Sequence, residues 1–126
     1  MNSEQLARVI AGFADDKKAT DLVGLRVGDL VGYTDVLIVC TAANERQAKA
    51  IHDEVHERLK HDYGLLPERS EGLPEATWVL LDYADCILHI FIAEARDRYR
   101  LDQLWGEAER LELGLEPSGD PVRRPA

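Results

Sequence analysis

The chain is short of cysteine, of aromatic residues and of positive charge. Its 126 residues include only two cysteines and two tryptophans, and 15 lysine and arginine residues stand against 24 aspartate and glutamate residues. Two cysteines are too few for the disulfide framework of a small secreted domain, so Cys40 and Cys86 are expected to be buried thiols in a reducing cytosol. The net charge of -9 disfavours DNA or RNA as a direct partner. It suits a basic protein partner or simple solubility.

Long apolar segments are missing as well. The longest apolar run, residues 36–40, is far too short to cross a bilayer, and acidic residues near the N-terminus leave no visible signal peptide. We therefore expect a cytoplasmic protein without membrane contact. The length fits one domain, and the hydrophobic fraction of 45% is ordinary for a globular fold.

Hydrophobic periodicity predicts an α/β fold. Helical spacing indicates helices over residues 3–18 and 44–64, and a short closing helix with Leu101, Leu104 and Trp105 on one face. Strand patterns occur at residues 22–27, 36–40 and 65–69 and in the two halves of a hairpin over residues 78–92. This order predicts a mixed five-stranded sheet flanked by helices, within a domain of residues 1–106. Acidic residues, glycines and prolines predict a flexible tail over residues 107–126.

The hairpin carries the polar groups that need an explanation. Its sequence is WVLLDYADCILHIFI, with Asp82 and Asp85 at the turn and His89 within the second strand. Because strand side chains alternate, Trp78, Leu80 and Asp82 are expected on one side and Tyr83 on the other. Buried polar groups need partners. The hairpin is therefore either an active site or a platform whose aromatic edge and polar rim face another molecule.

Catalytic interpretations of these residues meet obstacles of spacing. Two-metal phosphoryl or nucleotidyl transfer would use Asp82 and Asp85 to hold Mg²⁺, but companion phosphate-binding elements are missing and turn carboxylates are mostly structural. Cys86 and His89 stand three apart in one strand, so they point to opposite faces and cannot pair. These patterns predict no enzyme and no cofactor, with the carboxylate pair kept as the alternative.

The second helix offers one further metal pattern. His52 and His56 share a helical face, in the segment H-D-E-V-H. In the zinc-protease motif the glutamate follows the first histidine directly, whereas Glu54 is two residues on and points elsewhere. No third ligand is evident, so we expect surface histidines and no metal site.

Five short segments, taken in order, form a recognisable pattern. They are R-Q-x-K-A-I over residues 46–51, Glu71-Gly72, W-V-L-L-D-Y-x-D over 78–85, His89 with Phe91, and Y-x-L-x-x-L-W-G over 99–106. Together they resemble the ribosomal silencing factor family, also called the Iojap-like family. The resemblance covers residues 3–106.

The resemblance implies a non-enzymatic translation regulator with a fold similar to nucleotidyltransferases. Family members bind the large ribosomal subunit through large-subunit protein fourteen, block joining of the small subunit and repress translation when nutrients are short. They can also form homodimers. The implied contact positions in this chain are Trp78, Leu80, Asp82 and Asp85, with Tyr83 nearby and His89 either in contact or supporting the sheet.

One departure from the family pattern lies inside the hairpin turn. The family usually has glycine where this chain has Ala84. If the turn requires a positive φ, alanine costs about 1 kcal/mol there, so a different turn type is the alternative.

Overall fold

The computed structural model describes residues 1–99 and 106–115, with the backbone only at residues 98 and 99. In this part of the chain, four helices are interspersed among the six strands of one sheet. The helices are α1 (Ser3–Asp16), α2 (Gly28–Val31), α3 (Glu45–Tyr63) and α4 (Ala93–Tyr99). The strands are β1 (Thr20–Arg26), β2 (Val36–Ala42), β3 (Arg69–Glu71), β4 (Trp78–Asp82), β5 (Cys86–Ile92) and β6 (Glu109–Leu111). The predicted α/β class is confirmed.

The sheet is mixed, with its two apolar strands at the centre. The strand order is β3-β4-β5-β2-β1-β6, and β2 runs parallel to β5 while the other neighbours are antiparallel. Every residue of β2 is buried, as its uninterrupted apolar sequence predicts for a strand covered on both faces. A parallel pair needs a long crossover, and α3 lies in the connection between β2 and β5.

Helices α1 and α3 cover one face of the sheet and form the main core with it. Apolar residues of both helices, such as Ile10 and Ile51, cluster with Ile38, Val79 and Ile90. Local signals define the ends of α3 as predicted: the Asn44 side chain accepts a hydrogen bond from the Gln47 backbone, and Gly64 ends the helix with φ +66.

The five-strand prediction is wrong, because the described residues contain six strands. The sixth, β6, lies within the segment predicted as a flexible tail and pairs with β1. Leu111 and Leu113 there are buried in the main core. A strand of three residues is too short to show a hydrophobic period in the sequence, so whether it forms depends on the strand with which it pairs. The boundary at residue 106 stays a prediction, as does the nucleotidyltransferase-like topology.

Two other boundaries differ from the sequence prediction. The third strand is Arg69–Glu71 rather than residues 65–69, and the connection after β1 contains the single helical turn α2. Helix α4 follows β5 directly. Leu101, Leu104 and Trp105, on which the closing helix was predicted, lie outside the described residues. No helix in the described part of the chain combines the length and the apolarity that a membrane span requires.

A candidate docking face on strand β4

Strand β4 presents a half-exposed stripe on the sheet face that faces away from α1 and α3. Its burial alternates along the strand, with Val79 and Leu81 fully buried in the main core. The residues between them, Trp78, Leu80 and Asp82, are half-buried, and we call these three the β4 stripe. The sequence prediction that they share one side is confirmed. A half-exposed row of indole, leucine and carboxylate offers both apolar area and charge to another molecule.

Strand β5 supplies the buried support beside the stripe. The register places Trp78 opposite Phe91, Leu80 opposite His89 and Asp82 opposite Ile87. Phe91 is 0% exposed and His89 only 7%, so these side chains present little surface of their own. They fix the positions of the stripe residues instead.

The indole of Trp78 is held by two contacts with β5. Its Nε1–H donates a hydrogen bond to Nδ1 of His89 at 3.0 Å, and its ring centroid lies 4.9 Å from that of Phe91. Burial lowers the pKa of His89 to about 4, although the nearby Asp82 carboxylate opposes this shift. The imidazole is therefore neutral at pH 7 and can accept at Nδ1. His89 thus orients Trp78, and any partner meets the apolar parts of the indole rather than its N–H.

Both carboxylate oxygens of Asp82 are occupied within the chain. Oδ1 accepts from the backbone N–H of Ala84 at 2.8 Å, and Oδ2 accepts from Nε of Arg69 at 3.1 Å. Ala84 has φ +70, so the turn keeps the left-handed conformation that favours glycine. Asp82 therefore stabilises this strained turn by the side-chain-to-backbone bond that aspartate commonly makes in turns.

Asp85 is in a different environment from Asp82. Its side chain is exposed, while its backbone carbonyl accepts from the N–H groups of Asp35 at 3.0 Å and Val36 at 3.1 Å. It thereby joins the hairpin turn to the start of β2 and projects a carboxylate into solvent. Within residues 1–99 and 106–115, no group of three or more histidine, cysteine or acidic side chains is arranged to hold a metal ion.

Tyr83 does not lie on the stripe. It is 8% exposed and packs in the main core, on the helix-covered side. Burial raises the pKa of its phenol to about 12, and among the described residues its hydroxyl has no hydrogen-bond partner. The structure therefore brings Trp78, Leu80, Asp82 and His89 together, places Asp85 at the adjoining turn, and leaves Tyr83 behind the sheet.

Cys86 and His52, from the nucleophile and metal patterns of the sequence, both make structural contacts. The Cys86 thiol donates to the Ser3 carbonyl at 3.1 Å, and burial raises its pKa to about 12, so the reactive thiolate is suppressed. It packs in the main core, on the opposite face from His89. His52 was expected at the surface, but it is 6% exposed and its Nε2 lies 2.7 Å from Ser70 Oγ. That bond links α3 to β3.

Strand β3 adds a charged rim that the sequence prediction missed. Arg69 lies opposite Asp82 and Glu71 opposite Leu80, so both side chains border the β4 stripe. Nη1 of Arg69 also contacts Glu71 Oε2 at 2.9 Å. The sequence prediction placed the third strand at residues 65–69 and so left Glu71 out of it. The available signal in the sequence was the pair of opposite charges two residues apart, Arg69 and Glu71.

A separate open cleft lies at the start of α1, beside α2 and β6. Its volume is about 660 Å³, and five carboxylates line it: Glu4, Asp29, Asp35, Glu107 and Glu109. The one basic residue in the lining, Arg26, is paired with Glu4 at 2.6 Å and also with Glu109. Such a cleft is strongly negative and, without a bound cation, repels phosphate groups.

The fold and the β4 stripe define a small α/β protein with α1 and α3 on one sheet face. The other face carries a half-exposed aromatic and acidic strip, beside α4. The family model for "Ribosomal silencing factor during starvation" matches residues 1–125. The chain belongs to this ribosomal silencing factor family, as the sequence resemblance predicted.

Individual relatives agree over most of the chain. The ribosomal silencing factor of Halalkalibacterium halodurans is 33% identical over 90% of this chain and 96% of its own length. The chloroplastic Iojap protein of Arabidopsis thaliana is 31% identical over 95% of this chain and 50% of its own length. A crystal structure of a Chromobacterium violaceum protein superposes with a TM-score of 0.80 at 30% identity, covering 94% of this chain and 92% of the other.

Proposed function

We propose that this protein is a non-catalytic repressor of translation that binds the large ribosomal subunit through large-subunit protein fourteen. The bound protein occupies surface that the small subunit needs, so repression is steric. Family membership supports the regulatory role, and the finer mechanism follows from the resemblance of the hairpin motif. The observation that carries the site assignment is the β4 stripe, whose three residues are presented together on a rigid central sheet.

The stripe has the composition of a protein-docking site. Tryptophan buries a large area at little entropic cost and is enriched among residues that dominate binding energy. Leu80 extends the apolar area, while Asp82 and the exposed Asp85 add negative charge at one end. A basic ribosomal protein would complement this end, and the net charge of -9 would favour its approach.

Charge reversal and truncation within the stripe test this assignment. We expect Trp78→Ala and Asp82→Arg each to reduce co-sedimentation of the protein with purified large subunits at least about ten-fold, the size of effect that hot-spot residues of an interface show. Tyr63→Ala removes another exposed aromatic, 47% accessible at the end of α3, and Glu57→Arg makes the same charge change on that helix. Both controls should bind like the parent. Parental binding by both stripe variants would refute the assignment.

Folding of the variants needs a separate check, because Trp78 packs on Phe91 and Asp82 caps the turn. Circular dichroism and urea unfolding of each variant establish whether the sheet is intact. Leu80→Lys provides a second charge-introducing variant that removes none of these hydrogen bonds. It should also weaken sedimentation with large subunits.

Metal-dependent nucleotidyl transfer by Asp82 and Asp85 is the weaker alternative. Asp82 already accepts from Ala84 and Arg69, so few of its lone pairs point outward. A catalytic site would nevertheless bind Mg²⁺ with nucleotide and raise the unfolding temperature. We expect no shift at millimolar Mg²⁺ and nucleotide, and a reproducible shift that Asp82→Asn removes would favour the enzyme.

The family resemblance also supports a homodimer. The apolar part of the β4 stripe is suited to self-association, which would compete with ribosome binding. The mass of the protein measured across a dilution series should rise with concentration. A constant monomer mass up to high concentration would contradict this part of the proposal.

A further inference from the structure

We infer that Arg69 covers Asp82 in the unbound protein and is displaced when a basic side chain of the partner docks on the β4 stripe. This inference rests on the proposed function and concerns how the same site is regulated. Arg69 lies on β3 and is not one of the proposed catalytic or contact residues. In this role it competes with the partner for Asp82.

The first support is the geometry at Asp82. Nε of Arg69 lies 3.1 Å from Oδ2, and the exposed fraction of the Asp82 side chain is only 16% against 56% for Arg69. Arg69 is thus the more exposed member of the pair, and it occupies Oδ2 of the carboxylate. A cation that is to pair with Oδ2 must compete with Arg69.

The second support is that Arg69 is not needed to orient the carboxylate. The backbone N–H of Ala84 already holds Oδ1 at 2.8 Å. This bond lies inside the hairpin turn and does not depend on β3. When Arg69 leaves, Asp82 therefore remains aimed as before and exposes one oxygen to the partner.

The third support is that Arg69 has another carboxylate to pair with. Its Nη1 lies 2.9 Å from Oε2 of Glu71, whose side chain is 55% exposed. The pair of Arg69 with Glu71 is exposed on both sides, whereas Arg69 is the exposed end of its pair with Asp82. Ion pairs at exposed positions contribute little to stability. Arg69 can therefore release Asp82 while keeping its bond to Glu71, and no buried charge is left unpaired.

A double-mutant cycle at Arg69 and Asp82 tests the inference. Dissociation constants of the full chain for purified large ribosomal subunits are measured at fixed salt for the parent, Arg69→Gln, Asp82→Asn and the double variant. Removing a weak competing ion pair should tighten binding roughly two- to five-fold in Arg69→Gln. The same change made in the Asp82→Asn background should have no effect, because no carboxylate is left to uncover.

Arg46→Gln is the matched control for charge. Arg46 is exposed at the start of α3, on the covered side of the sheet, and its loss makes the net charge more negative by the same amount. It should change the dissociation constant less than Arg69→Gln does. Urea unfolding of Arg69→Gln should match the parent, showing that β3 remains paired with β4.

Several results would overturn the inference. Unchanged or weaker binding of Arg69→Gln would mean that Arg69 is inert, or that it touches the partner directly. An equal gain in the Asp82→Asn background, or from Arg46→Gln, would mean that only general charge repulsion was relieved. Failure of the parent to bind large subunits would remove the proposed function as well. Parental binding that Trp78→Ala weakens and Arg69→Gln leaves unchanged would remove this inference alone.

Discussion

His89 is a buried imidazole whose neutrality is required by its hydrogen bond with Trp78. Burial lowers its pKa to about 4 from the ordinary value of 6.5. The unfolded chain therefore takes up a proton at higher pH than the folded chain. The neutral state of His89 makes its full contribution to the free energy of unfolding above pH 6.5. This contribution is lost progressively as the pH falls towards 4. The full effect is at most about 3 kcal/mol.

This linkage predicts a shallower pH profile for His89→Gln. Glutamine does not titrate. The free energy of unfolding of His89→Gln should therefore fall less than that of the parent between pH 6.5 and 4. Urea unfolding at several pH values measures the difference. His61→Gln, at an exposed position of α3, is the control and should follow the parent. Parallel curves for His89→Gln and the parent would contradict the assigned neutral state.

Ala84 has a backbone conformation that glycine adopts more easily than alanine does. Its φ of +70 places a Cβ in the left-handed region, and Asp82 offsets part of the strain through the Ala84 N–H. We expect Ala84→Gly to raise the free energy of unfolding by about 0.5–1 kcal/mol. Ala50→Gly, inside α3, should lower it by about 1 kcal/mol. A destabilised Ala84→Gly variant would contradict the positive φ.

At the scale of elements, β4 depends on the loop that precedes it. Gly72 has φ +88, and a Cβ added there would lie 2.0 Å from the carbonyl oxygen of Trp78. Its own carbonyl accepts from Ala76 N–H at 2.8 Å, which closes the loop that delivers Trp78 to the strand. The backbone of Gly72 and the start of the stripe are therefore in direct contact, so no larger residue fits without moving β4.

Gly72→Ala should destabilise the protein by roughly 2–5 kcal/mol, from left-handed strain and overpacking together. It should also weaken binding to large subunits, since Trp78 must shift. Gly64→Ala is the matched control: its φ is +66, but no atom lies within 4 Å of the added Cβ. Only about 1 kcal/mol should be lost there. Equal losses for the two variants would argue against the close approach at Trp78.

Sequence periodicity was sufficient for the long elements and for the stripe. Alternation along residues 78–82 placed Trp78, Leu80 and Asp82 on one face, and the caps at Asn44 and Gly64 bounded α3. The short strands β3 and β6 were not predictable, because three residues have no measurable period and their pairing is a tertiary property. The Arg69 rim was missed for the same reason. The burial of His52 was missed because its partner, Ser70, lies on β3.

Charge is distributed unevenly around the sheet. The β4 stripe ends in Asp82, and the exposed Asp85 follows in the adjoining turn. The acidic cleft lies by the start of α1, where Ser3 Oγ donates to Asp35 at 2.6 Å. Asp35 and Asp85 belong to adjoining turns joined by backbone hydrogen bonds. The acidic cleft therefore adjoins the turn that carries Asp85, and a basic partner of the candidate docking face would be attracted over both.

The last described segment, residues 107–115, contacts both β1 and α1. Strand β6 pairs with β1, Arg8 Nε donates to the Glu112 carbonyl at 2.9 Å, and Leu111 and Leu113 are buried at 4% and 8% exposure. The Leu113 side chain lies over Gly24, where an added Cβ would approach it to 2.8 Å. Residues 107–115 thus complete the core under α1.

Truncation after residue 106 tests this directly, and it also tests the predicted domain boundary. Each buried leucine contributes about 1.5–3 kcal/mol, so a chain of residues 1–106 should lose roughly 3–6 kcal/mol of unfolding free energy. A chain of residues 1–115 retains β6 and both leucines and controls for length. If the chain of residues 1–106 is too unstable to purify, Leu113→Ala in the full chain is a second test. It should lower the urea midpoint, corresponding to a loss of about 2–5 kcal/mol in the free energy of unfolding. Equal midpoints for the 1–106 and 1–115 chains would make residues 1–106 an independent domain and β6 dispensable.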